Sequence, residues 1–105
     1  MKQIIFYKTL NNKCPFYNWY DCLDKTTKNR IDIRLSRLEE GNFGDYKRLS
    51  NELIELRFTI GSGYRIYCME QENILVIILC AGDKSTQSKD IEKAKIYIKD
   101  FKERL

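Results

Sequence analysis

Hydrophobic residues along this chain follow two periods, one helical and one strand-like. Residues 2–8 are a short run of β-branched and aromatic side chains, which predicts a strand. Pro15 then occupies the position of a first helical residue. Apolar side chains follow it at the spacing of an amphipathic helix, namely Phe16, Trp19, Tyr20 and Leu23. A turn at residues 24–26 offers an N-cap to a second helix, which we expect to stop at Gly41. Its apolar stripe consists of Ile31, Leu35 and Leu38.

From residue 45 onward the period changes to two, which is typical of strands. Residues 53–60 alternate strictly, and residues 64–70 return after a glycine-containing turn. We expect the face of Ile54 to be core and the face of Glu55 to be polar. Residues 73–80 form a third strand that is apolar on both faces, so we expect it inside the sheet.

The last part of the chain returns to a helical pattern that starts near Gln87. Its apolar positions recur every three or four residues, at Ile91, Ala94, Ile98, Phe101 and Leu105. We expect Ser88 to cap this helix and Asp90 to lie favourably at its positive N-terminal end. The element order predicts one α+β domain over residues 1–105. Two N-terminal helices and a C-terminal helix would pack on a mainly antiparallel sheet.

Composition limits the chemistry available to this domain. The 105 residues include no histidine, which excludes Ser-His-Asp and Cys-His pairs and imidazole bases. The four cysteines have no Cys-x-x-Cys spacing, so we expect reduced, buried thiols, no metal site and no cofactor. A net charge of +4 permits nucleic acid as a partner without requiring it. The longest apolar run, residues 74–81, is too short for a membrane span, and residues 1–8 lack a signal-peptide pattern. We expect a cytoplasmic protein with no membrane partner.

Two arginines fall on the polar face of the predicted hairpin. A three-residue loop at residues 61–63 would place Arg57 opposite Tyr67 and diagonal to Arg65, with about 7 Å between the arginine Cβ atoms. Guanidinium groups at this distance repel each other unless they share an anion. Glu55 on the same strand is one such anion and a substrate phosphate is another. A surface ion-pair ladder and a phosphate site therefore both remain open at this point.

Further cations converge on the same hairpin. Lys84 follows the last strand and should reach the end of the sheet that holds Arg65. Lys47 would lie across from Glu55 if the turn at residues 50–52 has three residues. The second helix carries a basic stripe, Arg30, Arg34 and Arg37, which we expect to be a solvated face.

Five segments occur in a characteristic order: residues 30–35, 41–45, 54–57, 61–67 and 82–91. Together they resemble the RelE/ParE superfamily of toxins from type II toxin–antitoxin modules, and most closely the HigB-like addiction module killer branch. The resemblance implies a small RelE-like domain with a twisted sheet. It also implies a cognate antitoxin, a small helix-turn-helix protein through which alone the toxin would contact operator DNA.

The resemblance extends to individual residues. Arg57 and Arg65 match the arginines of the family's sheet, Lys84 matches a cation after the last strand, and Glu55 matches an acidic position. The histidine or tyrosine that many ribonuclease members place near the C-terminal helix is missing, and Asp90 stands in that region.

These observations predict a ribosome-dependent, metal-independent mRNA endoribonuclease with the ribosome and mRNA as partners. A 2′-hydroxyl would attack the neighbouring phosphate, the cations would stabilise the transition state, and a carboxylate would accept the proton. Tyr67 would stack on a base or donate a proton. The expected site residues are Arg57, Arg65, Lys84, Glu55, Tyr67 and Asp90, with Lys47 as a further RNA-binding cation. Two alternatives stay open: a ParE-like inhibitor of DNA gyrase without nuclease activity, and an inactive remnant that binds the antitoxin and helps to repress its operon.

Overall fold

A five-stranded mixed sheet forms the middle of the molecule. In the computed structural model, which describes residues 1–105, the strands are β1 (Gln3–Phe6), β2 (Tyr46–Arg48), β3 (Leu53–Arg57), β4 (Arg65–Gln71) and β5 (Leu75–Gly82). Their order across the sheet is β1-β5-β4-β3-β2. The pair β1 and β5 is parallel and the other pairs are antiparallel. The predicted mainly antiparallel sheet is confirmed, and β5 lies inside it, as its two apolar faces indicated.

Three helices accompany the sheet: α1 (Pro15–Tyr20), α2 (Lys25–Glu39) and α3 (Gln87–Glu103). Asp24 caps α2 by accepting the N–H of Thr27 at 2.8 Å, and Gly41 follows the helix with a φ of +88°. The predicted cap at Ser88 is wrong because α3 already includes that residue. Instead, Asp83 caps a short 3-10 turn (Lys84–Thr86) that leads into α3.

Helices α1 and α2 cover one face of the sheet. The buried core on this side includes Phe16, Ile31, Leu38, Ile54, Leu56, Ile66 and Ile78. The prediction that the face of Ile54 is core is therefore confirmed.

Helix α3 covers the opposite face, which the sequence predicted to be polar. Its buried core includes Tyr7, Leu53, Tyr67, Met69, Ile77, Leu79, Ala94 and Ile98. The expectation of a polar face was wrong because the apolar stripe of α3 packs on the hydrophobic residues of this face. One consequence is that Glu55, on the same face, is fully buried.

The hairpin of β3 and β4 has a register two residues away from the predicted one. Strand β3 ends at Arg57, and Arg57 pairs directly with Arg65. The Phe58 N–H donates to the Tyr64 carbonyl at 3.0 Å, so the loop spans the five residues 59–63 rather than three. Gly61, with a φ of +56°, permits the wider turn. A shift of two residues keeps every side chain on its predicted face.

The cysteines are all unpaired, but they are not all buried as expected. Cys68 and Cys80 are buried, and burial raises the pKa of both thiols to about 12. Cys14 is half-buried and Cys22 is exposed. None of the helices is long and apolar enough to cross a membrane.

Candidate active site

Arg57 and Arg65 stand side by side where β3 ends and β4 begins. The Arg57 side chain is 35% exposed and that of Arg65 is 13% exposed, so both reach the surface from a partly buried position. Arg57 uses only its Nε within the protein, where it donates to Glu55. Arg65 donates through Nη1 to the carbonyls of Gly63 and Tyr64, while its buried Nε has no hydrogen-bond partner. The pair thus keeps unused donors.

Glu55 supplies the negative charge between the two arginines. Its Oε1 accepts the Nε of Arg57 at 3.0 Å and lies 3.9 Å from the Nε of Arg65. Its Oε2 accepts the side-chain amide of Gln87 at 2.7 Å. Burial acts to raise the pKa of Glu55, but the hydrogen bonds from Gln87 and Arg57 outweigh burial and lower it. Glu55 is therefore an ionised counterion inside the fold.

Tyr67 lies directly opposite Glu55 rather than opposite Arg57 as predicted, because of the two-residue change in register. Its ring is fully buried, so the expectation that it stacks on a base was wrong. Its hydroxyl is buried and unpaired. Burial raises the pKa of this hydroxyl, and the Glu55 carboxylate raises it further. The phenol therefore stays protonated at neutral pH.

Lys84 reaches the end of the sheet that holds Arg65, as predicted. A Cβ built on Gly63 would lie 3.4 Å from Lys84 Cβ and 3.6 Å from Arg65 Nη1, so the base of the Lys84 side chain and the Arg65 guanidinium both approach Gly63 closely. The Lys84 side chain is exposed and forms no ion pair. The neighbouring Asp83 accepts instead from Ser62 and Ser85.

Asp90 is buried in the first turn of α3. Its Oδ2 accepts the hydroxyl of Thr86 at 2.5 Å. The same oxygen would lie only 1.9 Å from a Cβ on Gly82, the residue that pairs with Arg65 on β5. The carboxylate is thus packed against the backbone of β5, and its predicted place near the helix N-terminus is confirmed.

Lys47 lies in line with Glu55 and Tyr67 across strands β2, β3 and β4. It pairs with Glu55 across β2 and β3, and the Leu49 N–H donates to the Leu53 carbonyl, which makes the intervening turn three residues long. The conditional placement of Lys47 opposite Glu55 is therefore confirmed, and its side chain is exposed.

Sequence reasoning missed two residues that hold the site together. Gln87 bonds Glu55 from α3, and nothing in its sequence context marked this role beyond its position after the last strand. Arg34, expected to be solvated, donates to the carbonyls of Phe43, Asp45 and Arg57. It therefore fixes the backbone of Arg57. No group of three or more His, Cys, Asp or Glu side chains is gathered closely enough to hold a metal ion.

Comparison with known proteins places this chain in a family. A family model described as phage-derived protein Gp49-like matches residues 18–101, which include every candidate site residue. The chain is also 45% identical over 87 residues to an uncharacterized protein of Haemophilus influenzae (strain Rd), a match that covers 82% of this chain and 88% of that protein. The chain belongs to the phage-derived Gp49-like family, which is part of the addiction module killer group of RelE-like toxins.

Proposed function

We propose that this protein is a HigB-like toxin that cleaves mRNA on the ribosome. Membership of the Gp49-like family supports a role as the toxin of a toxin–antitoxin module and implies a cognate antitoxin. The observation that supports cleavage is the directly opposed pair Arg57 and Arg65, which keeps free guanidinium donors. The exposed side chain of Lys84 starts next to Gly63, close to the Arg65 guanidinium. Planar guanidinium groups match phosphate oxygens and stay charged at every working pH.

In the proposed reaction the 2′-hydroxyl oxygen of one nucleotide attacks the adjacent phosphorus. The bond to the 5′-oxygen of the next nucleotide breaks, which leaves a 2′,3′-cyclic phosphate and a 5′-hydroxyl. The two arginines stabilise the extra negative charge that develops on the phosphate oxygens in the transition state. The attacking hydroxyl gives up its proton to a base and the leaving oxygen gains a proton from an acid.

The residues expected to accept the proton are Glu55 and Asp90. Glu55 is fully buried and accepts from Arg57 and Gln87, and Asp90 is 7% exposed and accepts from Thr86. Neither carboxylate is free to approach an attacking hydroxyl in this arrangement, so chemistry on free RNA would be slow. Positioning of the substrate by the ribosome would then supply much of the rate.

Induced expression with mapping of RNA 5′ ends tests this proposal. Wild type should arrest growth and produce new RNA ends, whereas Arg65→Ala should do neither while remaining folded. On programmed ribosomes, Arg65→Ala should lower the single-turnover rate about 10²- to 10³-fold, the scale of removing one preorganised donor. Lys95→Ala, an exposed change on α3, serves as the matched control and should cleave like wild type.

The rival functions give different results in the same experiment. Intact mRNA together with double-strand DNA breaks would contradict cleavage and favour a gyrase inhibitor. Normal growth, with the antitoxin still bound, would instead identify an inactive remnant.

A further inference from the structure

A groove of about 400 Å³ runs between α2 and the residues that follow β3, beside the arginine pair. Its cations are Arg30, Arg34, Arg37 and Arg57, and its only acidic residue is Asp45. Four positive charges facing one negative charge make this groove strongly basic, on a chain whose net charge is only +4. Such a concentration of cations calls for an anionic ligand.

Arg34 forms the rigid part of the groove. Its guanidinium donates to three carbonyl groups and lies over the ring of Phe58, with 4.7 Å between the guanidinium carbon and the ring centroid. These bonds use most of its donors, so it contributes a fixed charge rather than contacts to a ligand.

Arg30 and Arg37 are the free cations of the groove. Both side chains are exposed, and neither forms an ion pair or a hydrogen bond within the protein. They lie seven residues apart on α2, which places their backbones roughly 10 Å apart along the helix axis. This distance is close to the separation of neighbouring or next-neighbouring phosphates on a single nucleic-acid strand, so each arginine can contact a different phosphate. The half-exposed Ile33 lies between them and offers an apolar surface to a base or ribose.

Arg57 is shared by the groove and the candidate active site, since it lines the groove and pairs with Arg65 across the hairpin. A strand whose phosphate lies at the arginine pair would therefore continue directly into the groove. This continuity favours a nucleic-acid strand over an acidic peptide, which would need no connection to the arginine pair.

We propose that this groove binds the phosphate backbone of the single-stranded RNA next to the cleaved bond, with Arg30 and Arg37 as its phosphate contacts. The inference rests on the proposed nuclease function and adds to it a second binding region outside the catalytic residues.

The salt dependence of RNA binding tests the groove without requiring cleavage. The probe is a fluorescent RNA of about 12 nucleotides carrying 2′-O-methyl groups, which keeps its phosphates but lacks the attacking hydroxyl. Fluorescence anisotropy with the full chain at several salt concentrations gives the slope of log K against log [salt]. The double variant Arg30→Gln/Arg37→Gln should reduce this slope by about 1.4, or about 0.7 for each lost phosphate contact, and weaken binding about tenfold or more at low salt.

The control variant Lys95→Gln/Lys99→Gln removes the same charge from exposed positions on α3, across the sheet. It should keep the wild-type slope. Equal losses in both variants would overturn the proposal, because net charge alone would then explain binding. A wild-type slope in the groove variant would also overturn it. A poly-glutamate peptide serves as a second probe. If the groove variant loses binding to this peptide but binds RNA like wild type, the proposal is overturned and the groove is assigned to an acidic protein segment. Circular dichroism must show that both variants are folded.

The outcome is separable from that of the proposed function. If wild type cleaves RNA in cells but the groove variant keeps the wild-type slope, the proposed nuclease function stands and the proposed groove is wrong. If the groove variant changes the slope but wild type cleaves no RNA in cells, the groove stands as an RNA-binding site and the proposed nuclease function is wrong.

Discussion

Glu55 determines how the arginine pair is held. Its carboxylate is fully buried, yet it accepts from Arg57 on its own strand and from Gln87 on α3. A buried carboxylate is tolerated only when such partners replace its hydration. The same interaction orients Arg57, so the residue that balances charge also sets the geometry of the site.

Glu55→Gln should lower the free energy of unfolding at pH 7 by about 2 kcal/mol, the scale of a charged hydrogen bond. Because the pKa of Glu55 is lowered in the folded protein, its contribution is complete above its unfolded pKa of about 4.3 and is lost as the pH falls through the folded pKa. Urea unfolding of wild type and Glu55→Gln should therefore show a constant stability difference from pH 7 to about pH 5 that shrinks below that range. A difference that widens in acid would contradict this account.

Lys84 offers a second test at the scale of one residue. Its exposed side chain forms no ion pair and starts beside Gly63, near the Arg65 guanidinium, which suits a point charge on a substrate phosphate. Lys84→Gln should lower the single-turnover rate on programmed ribosomes about 10²-fold, whereas Lys84→Arg should keep appreciable activity. Equal rates for wild type and Lys84→Gln would show that Lys84 does not act on the substrate.

At the scale of elements, the junction of β5 with α3 brings the site together. The 3-10 turn that follows β5 carries Lys84, and α3 begins with Gln87, whose side chain donates to Glu55. The junction is tight, because the carboxylate of Asp90 lies against the backbone of Gly82. Only a residue without a Cβ fits at that position of β5.

Gly82→Ala should lower the free energy of unfolding by about 1–3 kcal/mol, since its new methyl group overlaps Asp90 Oδ2. Asp90→Ala removes the overlapping carboxylate. The double variant should therefore be less destabilised than the sum of the two single variants, with a coupling of about 1 kcal/mol or more measured by urea unfolding. Additivity within about 0.5 kcal/mol would show that the two residues do not meet.

At the scale of the whole molecule, one sheet separates two cores. Helices α1 and α2 cover one side and α3 covers the other, so the central strands β3, β4 and β5 contribute side chains to both cores. Shared strands couple the two cores, and we expect the domain to unfold in a single transition.

Leu56→Ala and Leu79→Ala test this coupling from opposite faces of the sheet. Both leucines are fully buried, so each change should cost about 2–5 kcal/mol. Fluorescence of Trp19, on the α1 side, and far-UV circular dichroism should report the same midpoint for both variants. Ile96→Ala, at a position 64% exposed, should change stability by less than about 0.5 kcal/mol. Separate midpoints in Leu79→Ala would mean that the α3 side unfolds independently.

Local pattern was sufficient for much of this protein. The apolar period located all three helices, and residue types at Pro15, Asp24 and Gly41 indicated where two of them begin or end. The strict alternation around Arg57 placed Arg57, Glu55, Arg65 and Tyr67 on one face of the hairpin. These features depend on neighbours within a few residues, which the sequence by itself contains.

Other features depended on contacts between distant parts of the chain. The register of β3 and β4 was decided by how the loop at residues 59–63 folds, and an error of two residues leaves the sequence pattern unchanged. The parallel pairing of β1 with β5 and the burial of Glu55 beneath α3 likewise join segments far apart in sequence. Gln87 became part of the site, and Arg34 its support, only through such packing. Only the tertiary structure determines this register, this strand pairing and these side-chain contacts, because the interactions that stabilise them involve residues that no local sequence pattern identifies.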